Sequence, residues 1–83
     1  MIVLFFGSSS CEKCEQAYIV LSELLEAKDL VYIDSGAEET QDLCDHYDVD
    51  SLPHVVVIND AWETAYEIRD LKFLPELVAF LRE

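Results

Sequence analysis

The chain opens on an unbroken apolar run, Ile2-Val3-Leu4-Phe5-Phe6, rich in β-branched and aromatic residues. Such a run predicts a strand covered on both faces. Gly7-Ser8-Ser9-Ser10 interrupts it and offers serines that can cap a following helix. From Glu12 to Lys28, the residues Ala17, Tyr18, Leu21, Leu24 and Leu25 fall on one stripe at helical spacing. Leu30 to Ile33 predicts a second strand, ended by Asp34-Ser35-Gly36. Glu38 to Tyr47 predicts a short acidic helix with Leu43, Cys44 and Tyr47 turned inward. Pro53 precedes a third, buried strand at Val55-Val56-Val57-Ile58, and Asn59-Asp60 signals a turn into an antiparallel fourth strand over Thr64 to Ile68. Leu74, Leu77, Val78 and Leu81 line a final helix that accepts Pro75 in its first turn. The order β-α-β-α-β-β-α implies an α/β protein, with a mixed four-stranded sheet and helices on both faces. Its length of 83 residues implies a single domain over 1–83.

Charge narrows the range of functions. Eighteen Asp and Glu against five Lys and Arg give a formal net charge of −13. Such a surface repels a phosphate backbone and an anionic bilayer, so neither nucleic acid nor membrane is an expected partner. No apolar run approaches the roughly 20 residues that span a bilayer. The segment Met1 to Phe6 lacks the basic region and cleavage site of a signal peptide, which favours a cytoplasmic location. Docking partners are expected to carry basic patches.

Three cysteines, Cys11, Cys14 and Cys44, are too few for a secreted disulfide framework. In a reducing compartment a Cys-x-x-Cys is usually catalytic or metal-binding. Cys11 falls where the first loop meets the first helix, and Cys14 lies one turn further in, on the same face. A thiolate at a helix N-terminus meets unpaired N–H groups and the positive end of the helix dipole, which favours it. The more exposed Cys11 is therefore expected to attack a partner disulfide, and the more buried Cys14 to resolve the mixed disulfide.

The second half of the chain carries a resemblance. Tyr47-Asp48-Val49 followed by Ser51-Leu52-Pro53-His54 and the run Val55 to Ile58 resembles the stretch of thioredoxins where a helix ends in Tyr-Gly-Val and Ser-Ile-Pro-Thr enters a strand. With Cys11 at the separation from Pro53 that the family shows, the chain resembles a minimal thioredoxin-fold protein without the family's first strand and helix, the size of a glutaredoxin. The resemblance implies that Cys11 is the nucleophile, Cys14 the resolving thiol and Pro53 a cis-proline facing them. It also implies that Leu52, Pro53 and His54 present backbone to an extended substrate. Departures are equally specific. Ser10-Cys11-Glu12-Lys13-Cys14 replaces Trp-Cys-Gly-Pro-Cys, Phe5 stands where thioredoxins bury an acid, and Ile19 stands where they kink the helix with proline. Arg69-Asp70-Leu71-Lys72 lacks the Gly-Gly of glutaredoxins.

The remaining residues have plainer readings. Glu12 and Lys13 are candidates for tuning the redox pair; the excess of nearby acids opposes a thiolate and favours a reductant over a strong oxidant. Cys44 reads as a small buried hydrophobe. His54 reads as a strand residue at the sheet edge, and Trp62 as hairpin packing. No second Cys-x-x-Cys completes a zinc set with His46 or His54, so no metal ligands are assigned. The expected function is that of a monomeric, thioredoxin-like electron carrier that reduces disulfides in protein substrates. It needs no cofactor beyond the Cys11–Cys14 pair, and a reductase or glutathione regenerates it. The alternatives are a glutathione-dependent glutaredoxin, an iron–sulfur or metal module, and an acidic docking domain.

Overall fold

The computed structural model describes residues 1–82. Four strands form one sheet in the order β2-β1-β3-β4. They are β1 (Ile2–Gly7), β2 (Leu30–Asp34), β3 (His54–Ile58) and β4 (Thr64–Ile68). β1 runs parallel to β2 and antiparallel to β3, which is in turn antiparallel to β4. The two continuous apolar runs are the central strands, as their composition requires: every residue of β3 is buried, and so are Val3, Phe5 and Phe6 of β1. The strands with mixed patterns lie at the edges. β2 exposes Val31 and Tyr32, and β4 buries only Ile68.

Helix α1 (Glu12–Leu24) and helix α3 (Leu74–Arg82) cover one face of the sheet. Their buried residues Cys14, Ala17, Leu21 and Leu77 share a core with Val3, Phe5, Val55, Val57 and Ile68. Helix α2 (Gln41–His46) covers the other face, where Cys44 packs with Phe6, Ile33, Val56 and Ile58. Successive side chains of β1 and β3 alternate between these two cores, so both faces need a cover. The architecture is the expected α/β fold with a mixed four-stranded sheet. Among the described residues, no helix is long and apolar enough to cross a membrane.

Several local expectations are corrected. α1 stops at Leu24 rather than Lys28. Leu25 turns extended, and the next residues bring the chain back, with the Asp29 carbonyl accepting from the Val3 N–H at 2.7 Å as β2 begins. The acidic helix opens as a 3₁₀ turn over Glu38–Thr40 before α2. A helix this short has one narrow inner face, occupied by Cys44; Tyr47 is half-buried and Leu43 faces solvent. Trp62 does not pack on the hairpin. The tip is closed by Asn59, whose side-chain oxygen accepts from the Ala61 and Glu63 N–H groups, and Trp62 is left 76% exposed at φ 62°.

Candidate active site

The loop Ser8-Ser9-Ser10 carries the chain from β1 into α1. The Ser8 carbonyl accepts from the Cys11 N–H at 3.1 Å, and the Ser8 hydroxyl from the Ser10 N–H at 3.3 Å. Cys11 is then the N-cap of α1, in extended conformation, and its Sγ accepts from the Cys14 N–H at 3.2 Å. This sulfur takes the place that a serine or aspartate oxygen commonly fills at a helix start. The sulfurs of Cys11 and Cys14 are joined in a disulfide across a Cα separation of 5.3 Å. Cys11 is half-buried and Cys14 is 1% exposed, so the two sulfurs are unequally accessible, as the sequence reading expects.

The Leu52–Pro53 peptide bond is cis. Phe6 of β1 pairs with His54 of β3, so the loop after β1 and the segment before β3 emerge at the same end of the sheet. Pro53 is fully buried there, and half-buried Leu52 packs against the core that contains Cys14. The cysteine pair and the cis-proline are thus assembled from distant parts of the chain by one strand register. A model of the family described as a thioredoxin domain matches residues 1–79. The chain belongs to the thioredoxin-domain family. Solved structures agree. A thioredoxin from Thermus thermophilus is 28% identical over 98% of this chain and 70% of its own, with a TM-score of 0.72. A mutant thioredoxin from Halobacterium salinarum is 25% identical over 98% and 71%, with a TM-score of 0.77. A disulphide isomerase from Xylella fastidiosa, 24% identical over 99% and 78% with a TM-score of 0.73, shares the fold. No curated protein sequence matches the chain.

The core beneath this thioredoxin-domain pair is apolar. Phe5, wholly buried, shares the core of Cys14, and no carboxylate belongs to that core. Ile19 is exposed on α1, which runs without interruption from Glu12 to Leu24. Glu12 and Lys13 lie exposed on the first turn. Among the described residues, neither forms an ion pair, so any influence on the sulfurs acts through solvent.

His54 lies elsewhere than the sequence reading expects. Its ring is fully buried on the α2 side of the sheet, tilted against Phe6 at 5.6 Å, with Nε2 2.5 Å from a carboxylate oxygen of Glu67. Arg69 continues the network. It donates to the Asp48 and Tyr47 carbonyls at 2.6 and 3.2 Å and approaches Glu67 at 3.5 Å. These residues tie β4 to the end of α2 and to the strand that begins at His54. Sequence reasoning missed Glu67 and Arg69 because only the β3–β4 register brings them to His54.

A second feature that it missed adjoins Cys11. Ser8, Ser9, Cys11, Glu15, Tyr18 and Tyr32 line a groove of about 530 Å³. Gly7 permits it: a Cβ there would stand 3.0 Å from the Tyr32 hydroxyl and 3.0 Å from the Phe5 ring. Although Tyr32 is exposed as a whole, partial desolvation of its phenol, then Asp34 and then Tyr18, push it above its ordinary pKa. Among the described residues, no group of three or more His, Cys, Asp or Glu side chains is placed to hold a metal ion.

Proposed function

We propose that this protein is a dithiol–disulfide oxidoreductase that reduces disulfides in proteins, working from the cytoplasm. The observation that carries the proposal is the Cys11–Cys14 disulfide across the first turn of α1, with one sulfur accessible and one buried, at the sheet end that also bears cis-Pro53. In the reduced protein, the Cys11 thiolate attacks one sulfur of the substrate disulfide. The substrate S–S bond breaks, its other sulfur leaves as a thiolate and takes a proton, and a mixed disulfide joins Cys11 to the substrate. Cys14 attacks the Cys11 sulfur, and its proton ends on the departing substrate thiolate. The second substrate thiol departs, and two electrons have passed from the protein to the substrate.

Leu52, half-buried at the same end of the sheet as the pair, offers backbone to an extended substrate segment. Pro53 fixes its direction. His54 contributes by anchoring this segment from below, since its ring is buried. A reductase or glutathione returns the two electrons.

Titration in glutathione redox buffers, with free thiols alkylated and intact mass recorded, is the first test. A reversible two-electron transition localised to Cys11 and Cys14 is expected, and a pair that never oxidises would refute the reading. Cys11→Ser should reduce disulfide turnover to background, and Cys14→Ser should accumulate the mixed disulfide. A glutathione adduct on Cys11 would identify glutathione as the regenerating thiol.

A further inference from the structure

The groove beside Cys11 has a composition that suits a specific kind of occupant. Tyr18 and Tyr32 meet edge-to-face with centroids 5.3 Å apart. Behind them Phe5, wholly buried, contacts both rings at 5.4 and 5.8 Å, so the aromatic wall is held from within. Glu15 supplies a carboxylate one helical turn beyond Cys11, where its N–H donates to the Cys11 carbonyl at 3.3 Å. Glu15 is exposed and, among the described residues, forms no ion pair. No basic side chain lines the groove. Its volume lies within the range of about 300–1,000 Å³ typical of ligand clefts.

Resting on the oxidoreductase reading above, we propose that this groove is a subsite for a cationic side chain, arginine above all, carried by the substrate protein next to the disulfide that Cys11 attacks. Tyrosine faces attract a guanidinium, which can stack on them and donate two hydrogen bonds to a carboxylate. Two tyrosine rings with a carboxylate at the rim therefore favour a cationic side chain over an anionic or aliphatic one. Cys11 itself forms part of the groove, so the occupant must belong to the half-cystine under attack or to a close neighbour. The net charge of −13 acts in the same direction at longer range, drawing basic segments toward the protein.

The test uses reduced protein and two synthetic disulfide peptides, identical except for arginine or its neutral isostere citrulline beside the half-cystine. Second-order rate constants are measured at 0.15 M salt. The arginine peptide is expected to react about five- to ten-fold faster, the combined effect of one partly exposed ion pair and one cation–π contact. Glu15→Gln should bring the ratio close to one, and Tyr32→Leu should lower it part-way. Glu23→Gln removes the same charge further along α1 and should leave the ratio unchanged. Equal rates for the two peptides would overturn the subsite while leaving the oxidoreductase intact. So would an equal fall of the ratio in the Glu15 and Glu23 variants, which would mark bulk charge as the cause. Failure to reduce either peptide would overturn the oxidoreductase reading and the subsite with it.

Discussion

Truncating Glu67 to alanine would strand the buried imidazole of His54. The ring is fully buried, its Nε2 has the Glu67 carboxylate 2.5 Å away, and its Nδ1 has no hydrogen-bond partner among the described residues. Glu67→Ala therefore leaves the whole ring without a polar contact, at a cost of about 1–3 kcal/mol. The same truncation removes the ion pair of Glu67 with Arg69, which joins partly exposed groups and adds about 0–1 kcal/mol. A sum of about 1–4 kcal/mol is a large share of the roughly 4–12 kcal/mol that a domain of this size possesses. It corresponds to a fall in Tm of about 4–32 °C.

Far-UV circular dichroism during urea and thermal unfolding is the assay, because the single tryptophan is too exposed to report on the core. Adding His54→Leu to the Glu67→Ala background removes the stranded nitrogens and should recover at least half of the loss. Two results would refute the reasoning: a Glu67→Ala protein within about 0.5 kcal/mol of wild type, or a double variant no more stable than Glu67→Ala alone.

Asp48 sits at φ 51°, just past the end of α2, where the Val49 N–H donates to the Cys44 carbonyl at 2.9 Å. Glycine holds that conformation without a Cβ penalty, so Asp48→Gly should stabilise by about 0.5–1 kcal/mol, seen as a Tm rise of about 2–8 °C. Trp62 is an exposed, bulky residue at φ 62°, and Trp62→Gly should gain about 1 kcal/mol in urea unfolding; a loss would mean that the indole makes an important contact. The Tyr32 phenol is raised from its ordinary value of 10.0 by burial, Asp34 and Tyr18, so the folded protein holds that proton more tightly than the unfolded chain. The resulting stability is complete below pH 10 and declines as pH rises through the raised folded value. Tyr32→Phe should flatten this alkaline decline and remove one phenolate from an absorbance titration. An unchanged slope would count against the assignment.

The features legible in the sequence are those with a short-range signature. Val55 to Ile58 and Ile2 to Phe6 are continuous apolar runs, and only the centre of a covered sheet tolerates them. The junction of serine loop and helix at Cys11 and Cys14 was readable from spacing, and Pro53 from its flanks. Helix ends were less so, because the stripe through Leu24 and Leu25 continues past the point where tertiary geometry forces a turn. Leu43 illustrates a related difficulty: in a helix as short as α2, apolarity alone does not decide which residue faces inward. The network of His54, Glu67 and Arg69 and the groove of Tyr18 and Tyr32 were not legible. Each joins residues from separate elements, and their meeting depends on a register that a single sequence leaves unwritten. Trp62 failed for the opposite reason, since large aromatics are usually buried and this one is held out by the turn.

The Arg69 contacts to the end of α2 have a consequence for the way the molecule opens. α2 is short; it buries its own Cys44 against Phe6, Ile33, Val56 and Ile58, and at its far end the Arg69 hydrogen bonds add to the contact of Tyr47 with the Phe6 ring. An opening that lifts α2 alone would expose the Cys44 sulfur with the sheet and the opposite core intact, a sub-global excursion that costs less than global unfolding. The rate at which a thiol reagent labels Cys44, measured with the other two cysteines kept oxidised, is therefore a clock for that excursion. Arg69→Ala should quicken the clock well before any denaturant curve registers a change.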